Sequence, residues 1–304
     1  MKLGVIDLGS NTIRLVVYQW DGEHLSTLHN IKRISKNLQF IHDAHMSKTG
    51  LDAIVSTVKE LLALASVYDV ENLHVFATAS LRNIKNSHEA KAYLEEELQI
   101  PIRVLDGLEE SRLGFEGIKR KMDLPLEGLA VDIGGGSTEL SYFKYGSLIY
   151  ASSLPIGSLN LYLNHVHGAL PSASEEFMIR LEINQQLESV AWLKNLKIQT
   201  LLGIGGSARA IMRIHQARHM IDTSIFDMRV SASLIHEMAQ STFYTDPVNA
   251  KIIGQAIPDR FTTVIPGLLI LDELIKLTHA SDYHVSAYGV REGYLFDKMI
   301  KTDD

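Results

Sequence analysis

The stretch LAVDIGGGSTEL, Leu129–Leu140, decides how the rest of the chain is read. An apolar run ends at Asp132 and is followed by Gly134, Gly135 and Gly136, by the hydroxyl residues Ser137 and Thr138, and by Glu139. LGVIDLGSNTIRL, Leu3–Leu15, has nearly the same grammar: apolar run, Asp7, one apolar residue, Gly9, the small polar residues Ser10 and Asn11, then apolar residues again. Asp7 and Asp132 occupy matching places, 132 − 7 = 125 residues apart, and the second turn carries an extra glycine. An aspartate at the end of a buried strand, followed by a glycine turn, sets a carboxylate beside exposed backbone N–H groups. Glycine lets the backbone approach a ligand and take positive φ. Concave N–H arrays of this kind bind phosphate oxygens. The carboxylate would repel a phosphate, so the pairing makes sense with a divalent cation between them. Mg²⁺ binds in this way, through one or two carboxylates, waters and substrate phosphate. One such turn ahead of a strand is ordinarily a plain hairpin. Two, each opening a similar series of elements, predict a phosphate gripped from both sides.

Neither turn is a Walker loop, because no lysine follows the glycines at the required spacing, and neither has the dinucleotide-binding spacing. A third turn, GIGGSARA (Gly203–Ala210), joins a strand to a helix, and its Gly205, Gly206 and Ser207 are further candidates for phosphate contact.

The surrounding pattern repeats as well. Val5–Asp7 and Thr12–Tyr18 read as strands around the first turn, as do Leu129–Asp132 and Thr138–Tyr142 around the second. Leu51, Ile54, Val55, Val58, Leu61, Leu62 and Ala65 recur at helical spacing and predict a helix over Leu51–Val67. Strands are predicted at Leu73–Ala79, Pro101–Leu105 and Leu148–Ser153, and a helix capped by Ser87 between the first two. LEESRLGFEGIKRKM reads as a helix interrupted by Gly114 and Gly117. In the second half, Ser172 and Glu175 form a capping box ahead of a long helix. ASLIHEMAQSTF reads as one helix, and a helix near VIPGLLILDELIKL is kinked or started at Pro266. Pro125 and Gly128 punctuate the chain before the second turn, so the division is placed there: 1–124 and 125–304, with the terminal helix, 290–304, expected to pack back on the first domain. Strand hairpins and crossover helices occurring twice predict an α/β protein of two similar domains, each with a mixed sheet, facing one cleft lined by both turns.

Composition narrows the function. The chain is 304 residues long and 46% hydrophobic, enough for two domains with real cores. It has no cysteine, which excludes disulfides, thiolate nucleophiles and cysteine-ligated metals. Asp7 precedes any long apolar run, and Asp272 and Glu273 interrupt the most apolar one, so neither a signal peptide nor a membrane span is expected, and the cytoplasm is the default location. A net charge of −7 argues against a nucleic-acid partner. An anionic substrate then needs local cations or a bound metal. The 13 histidines show no metal-ligand spacing, and His42 and His45, three apart, are assigned none.

In order along the chain come VIDLGSNTIRL, ATASLRN, LDGLEESRLGFEG, VDIGGGSTEL, GIGGSARA, VIPGLLIL and GVREGYL. Together they resemble the exopolyphosphatase/guanosine pentaphosphate phosphatase (Ppx/GppA) family of the actin-like ATPase superfamily, in its short two-domain form. The resemblance spans essentially the whole chain. It implies two ribonuclease H-like domains flanking a cleft, and Mg²⁺-dependent hydrolysis of a terminal phosphate from inorganic polyphosphate or from guanosine pentaphosphate (pppGpp). It leaves room for a homodimer. Carried over by position, it implies that Glu110 is the catalytic carboxylate, that Asp132 and Glu139 are the magnesium- and phosphate-site acids, and that Asp7 is the acid of the first turn. Gly9, Ser10, Asn11, Arg82, Gly134, Gly135, Gly136, Ser137 and Thr138 complete the candidate phosphate contacts with Gly205, Gly206 and Ser207.

The residues alone leave plainer alternatives open. Glu109 and Glu110 at a helix start can simply complement the helix dipole. Arg82 and Arg112 are phosphate contacts or carboxylate partners, and Arg260 and Arg291, beside turns, are similar candidates. Lys119, Arg120 and Lys121 form a solvated face or a docking site for a polyanion. A nucleotide-dependent conformational protein and a phosphate-responsive binding module are the non-hydrolytic readings. The acids at all four positions argue against a dead site.

Overall fold

The structure, a computed structural model, describes residues 1–300; the last four positions of the 290–304 segment lie outside them. The chain divides into two compact units, one made of Met1–Glu110 with the chain from Tyr294 onward, the other of Ser111–Gly293.

The first unit contains β1 (Lys2–Leu8), β2 (Thr12–Trp20), β3 (Leu25–Ile34), a 3₁₀ turn (Asn37–Phe40), β4 (Ile41–His42), β5 (His45–Met46), α1 (Lys48–Val67), β6 (Asn72–Ala77), α2 (Ala79–Arg82), α3 (Ser87–Leu98), β7 (Ile102–Val104) and the start of α4 (Gly107–Lys119). Its sheet has the order β3-β2-β1-β6-β7. The first three strands are antiparallel, and β1, β6 and β7 are parallel. β1 is apolar almost throughout because its Leu3, Val5, Ile6 and Leu8 are fully buried, as expected of a central parallel strand covered on both faces. α1 forms because Ser47 caps it, accepting from Gly50 N, and because its apolar stripe is buried. Each fully buried Leu, Ile or Val of that stripe stabilises by roughly 1.5–3 kcal/mol.

Three local expectations shift. β3 has no counterpart in the sequence reading: as an edge strand it is mostly exposed and carries no alternation. The strand at Leu73–Ala79 ends at Ala77, and Ala79 already belongs to α2. Ser87 is the first residue of α3 rather than its cap. Asn86 stands at the cap position, but its side chain instead brackets Met46, accepting from its N–H and donating to its carbonyl.

The second unit contains the rest of α4, then β8 (Glu127–Ile133), β9 (Thr138–Lys144), β10 (Ser147–Leu154), α5 (Ser158–His165), α6 (Ala173–Glu188), β11 (Thr200–Ile204), α7 (Gly205–His219), β12 (Arg229–Ser231), α8 (Ala232–Met238), α9 (Ser241–Tyr244), α10 (Pro247–Ala256), α11 (Val264–Thr278), β13 (Asp282–Val285) and the start of α12 (Val290–Lys298). Pro125 and Gly128 both lie in this unit, Pro125 between α4 and β8 and Gly128 as the second residue of β8. The sheet order is β10-β9-β8-β11-β13-β12. With only the strands of each sheet counted in chain order and β12 set aside, both sheets run third, second, first, fourth, fifth, with β12 added at one edge of the second. The two units thus share one strand order. β1 and β8 share one burial pattern, with the aspartate as the partly exposed residue before a buried last position.

α11 is buried nearly all round and forms the centre of this unit. It begins two residues before Pro266, which sits in the first turn where no N–H partner is lost. Asp272 and Glu273 are buried in it. Arg180 donates to Asp272 at 2.7 Å and to Glu273 at 2.5 Å, and Lys276 lies 2.9 Å from each. Burial alone would raise both carboxyls, but these cations outweigh it and hold them below the ordinary range. The segment read as the single helix ASLIHEMAQSTF is broken after Met238 into α8 and α9. Ala239 offers its carbonyl to Arg180 at 2.9 Å at that break. The capping box of Ser172 and Glu175 forms as read. Among the described residues no helix is long and apolar enough to cross a membrane.

α4 and α12 approach each other within the second unit through glycines. A Cβ on Gly117 would lie 2.2 Å from the Gly289 carbonyl oxygen, and one on Gly293 would lie 1.9 Å from the Leu113 carbonyl oxygen. Backbone cannot yield as a flexible side chain can. Gly117→Ala is therefore expected to lower stability by about 1–3 kcal/mol, the usual cost of overpacking, read as a shift of the urea midpoint with unchanged slope. A wild-type midpoint would refute the close packing.

Candidate active site

The first turn is held from behind. Gly9 N–H donates to Thr12 O at 3.1 Å, and Asn37, buried, donates its side-chain amide to Gly9 O at 2.9 Å. Ser35 and Lys36 N–H both donate to Asn11 O at 3.1 Å, and Ser80 Oγ donates to Leu8 O at 2.6 Å. A planar trans peptide points its C=O and its N–H in opposite directions. With the Gly9 carbonyl facing Asn37, the Ser10 N–H faces the other way. Ser10 and Asn11 are themselves buried. Asp7, partly exposed, pairs across the strands with Arg14.

Glu110 stands in the first turn of α4, where Asp106 caps the helix: Glu109 N–H donates to Asp106 Oδ1 at 2.8 Å and Glu110 N–H to Asp106 O at 2.9 Å. Arg82 Nη1, at the end of α2, donates to Glu110 Oε2 at 2.6 Å and to Leu105 O at 3.1 Å. Both side chains are largely buried, 15% and 9% exposed, so the pair is shielded from solvent screening. Glu109 turns aside and pairs with Arg103 at 2.6 Å. Two adjacent glutamates thus have different partners, because neighbouring residues point about 100° apart on a helix.

The second turn repeats the first. Gly134 N–H donates to Ser137 O at 2.9 Å, matching Gly9 and Thr12. Its carbonyls are tied back to the start of α5: Ser158 N–H donates to Gly134 O, and Leu159 and Asn160 N–H donate to Gly135 O, at 2.9–3.0 Å. A Cβ on Gly157 would meet the Gly135 carbonyl carbon at 2.6 Å, so that seat requires glycine. By the same peptide geometry, the N–H groups of Gly135 and Gly136 point away from α5. Asp132 and Glu139 are cross-strand partners, and Glu139 Oε1 accepts from Ser153 Oγ at 2.7 Å. Thr138 and Ser207 are buried and their hydroxyls brace the fold, donating to Ile156 O at 2.7 Å and Ile133 O at 2.8 Å.

The third turn lies against this one. Gly205 has φ +80°, and a Cβ there would meet Asp132 Oδ1 at 2.4 Å. A Cβ on Gly206 would meet Arg260 Nη2 at 2.1 Å, and Arg260 Nη1 lies 3.4 Å from Ser207 Oγ. Arg209, which the sequence reading missed, is pushed down to about 10 by burial and by Arg291, against the opposing pull of Glu292 and Asp132. Arg260 is lowered by burial and by Arg213 and Arg291, with Asp132 opposing. These interactions set Arg209, Arg213, Arg260 and Arg291 beside Asp132 and Glu292. A guanidinium offers a planar donor fork that suits phosphate oxygens.

The remaining candidates lie as follows. Arg112 is partly buried on α4. Lys119, Arg120 and Lys121 are exposed at the end of that helix, with Lys121 Nζ 5.4 Å from the centre of the Tyr288 ring. His42 and His45 face each other in the β4–β5 hairpin. No group of three or more His, Asp or Glu among the described residues is arranged to hold a metal. The donor set of the second turn, two carboxylates opposite each other, nevertheless suits a hard cation that takes few protein ligands, as Mg²⁺ does.

The model of the Ppx/GppA phosphatase family matches residues 16–302, which include Glu110, Asp132 and Glu139 but begin beyond Asp7. Exopolyphosphatase 1 of Mycobacterium leprae is 25% identical over 316 residues, spanning 100% of this chain and 91% of that protein. Exopolyphosphatase 1 of Mycobacterium tuberculosis H37Rv is 24% identical over 309 residues, spanning 100% and 90%. Among solved structures, an exopolyphosphatase from Cytophaga hutchinsonii has a TM-score of 0.87 at 20% identity over 97% of each chain. The Ppx/GppA family member of Aquifex aeolicus has a TM-score of 0.80 at 22% identity over 100% and 99%. The structural likeness carries the fold.

Gly205→Ala tests the second unit's geometry. It places a side chain at positive φ and pushes on the Asp132 carboxylate, and a displacement of about 1 Å at a reacting site can cost ~10²-fold in rate. Activity should fall by about that factor in a variant whose thermal melt shows it folded. Wild-type activity would contradict the placement of Asp132.

Proposed function

The chain belongs to the Ppx/GppA phosphatase family, and from that membership we propose that it is an exopolyphosphatase, hydrolysing the terminal phosphoanhydride bond of inorganic polyphosphate. The observation that carries the reading is the buried Glu110, fixed by Arg82 at 2.6 Å while its neighbour Glu109 is paired elsewhere. Phosphoryl transfer asks little covalent chemistry of a protein; it needs an aligned water and charge stabilisation. Glu110 orients the water and accepts its proton. The water oxygen bonds to the terminal phosphorus as the bridging P–O bond breaks, releasing orthophosphate and a chain one unit shorter. Arg82 fixes the carboxylate that does this.

The backbone N–H groups of Ser10, Gly135 and Gly136 are proposed to hold phosphate oxygens, each within its own unit, with Arg260 and Arg209 adding positive charge beside Gly205–Ser207. Asp132 and Glu139 would hold Mg²⁺ in the second unit, and Asp7 is the corresponding acid of the first. When bound, the ion neutralises phosphate charge against these carboxylates. Guanosine pentaphosphate presents the same terminal group and is the alternative substrate.

Phosphate release from long-chain polyphosphate, guanosine pentaphosphate and ATP, each with Mg²⁺ and with excess chelator, tests the reading. Polyphosphate should be the best of the three, activity should vanish in chelator, and Mg²⁺ should restore it. No release from any substrate would overturn the proposal. Release that persists in chelator would overturn the metal assignment alone.

A further inference from the structure

Lys36 stands at the first turn in an unusual state. It is the residue before the Asn37–Phe40 turn and has left-handed backbone angles, φ 44° and ψ 47°. That region is uncommon for residues other than glycine, asparagine and aspartate. Lysine gains nothing there from a short polar side chain, so the surroundings impose the conformation. They can be named. The N–H groups of Ser35 and Lys36 both donate to Asn11 O at 3.1 Å, and the next residue, Asn37, is 1% exposed with its amide on Gly9 O at 2.9 Å. Ser35 Oγ is buried with no hydrogen-bond partner among the described residues, a second local cost in the same three positions. The segment is therefore a rigid brace, and it fixes Lys36 one hydrogen bond from the turn that offers Ser10 N–H.

The Lys36 side chain is only partly exposed, yet among the described residues its ammonium makes no ion pair or hydrogen bond. Two other cations of the first unit are already engaged, Arg82 with Glu110 and Arg33 with Glu60. A strongly hydrated ammonium carried by a residue whose backbone is bonded to a phosphate-type turn, and without a carboxylate partner among the described residues, is available to an anion. We propose that Lys36 is a substrate-binding residue that holds a non-transferred phosphate of the polyphosphate chain through its ammonium; this rests on the exopolyphosphatase reading above. A contact to a phosphate that does not react is made equally in ground and transition states, so it lowers KM and leaves kcat unchanged.

The test compares Lys36→Met, Lys36→Arg and Lys36→Gly with wild type. KM for long-chain polyphosphate should rise about tenfold in the Met variant, the size of one charge-assisted contact, with kcat unaltered. The Arg variant should recover most of the affinity. The Gly variant relieves the backbone while removing the charge, so it should melt higher than Lys36→Met and share its weak binding. The plot of log KM against log salt should flatten by about one counterion in the Met and Gly variants, by analogy with other polyanions. Polyphosphate affinity measured by calorimetry in Glu110→Gln, with and without Lys36→Met, repeats the comparison without turnover. A KM and a salt slope in Lys36→Met indistinguishable from wild type would overturn the proposal and leave the function reading intact. A wild-type enzyme that hydrolyses no polyphosphate would overturn the reading itself, and calorimetry would then decide whether Lys36 binds the chain.

Discussion

A glycine turn can present its N–H groups to an anion only if its carbonyls are tied away, and that constraint organises both units. In the second, the first three N–H groups of α5 take the carbonyls of Gly134 and Gly135. In the first, a buried asparagine does the same work on Gly9, and the amides of Ser35 and Lys36 take Asn11. The two solutions differ in chemistry and agree in result. A helix start is ordinarily itself an anion site; here it is consumed inside the protein, and the N–H groups of the turn it braces point away from it. This is why the second turn has the extra glycine and why Gly157 must lack a side chain.

Charge placement follows from the same arrangement. Carboxylates at the strand ends, Asp7 and Asp132, would repel the phosphate that the turns attract. In the second unit Arg209 and Arg260 bring positive charge to the Asp132 end of Gly205–Ser207, at the cost of burying both guanidinium groups. Asp272 and Glu273 show the opposite case: two buried carboxylates surrounded by Arg180, Lys276 and, for Asp272, His236 at 2.8 Å. That network is internally satisfied and holds α11 in the core, and nothing in it asks for a ligand.

Much of this was legible in the sequence. The repeated strand–Asp–Gly grammar located β1, β2, β8 and β9 because central strands bury continuous apolar runs, and the acids mark where burial stops. Glu110 was found from its resemblance to a family motif, since an acid in a first helical turn is otherwise explained by the dipole. What escaped had physical reasons. β3 lies at a sheet edge and shows no alternation. Arg209 is one arginine in an amphipathic helix until the fold brings Arg260 and Arg291 beside it. Asn37 and Lys36 sit in a stretch without periodicity, and their importance comes from hydrogen bonds to residues some twenty-five positions earlier, which no local pattern encodes. The break between α8 and α9 depends on Arg180, far away in sequence, taking the carbonyl of Ala239.

The central claim is that Glu110, and not its neighbour, performs the chemistry. Single-turnover hydrolysis of polyphosphate by Glu110→Gln and Glu109→Gln, with affinities and thermal melts for both, tests it most directly. Loss of a general base costs on the order of 10²–10⁴ in rate, and removing one negative charge near a polyanion leaves binding equal or tighter. The account predicts that loss in Glu110→Gln, in a folded protein that still binds, with Glu109→Gln close to wild type. Near wild-type turnover by Glu110→Gln, or an inactive Glu109→Gln, would contradict it.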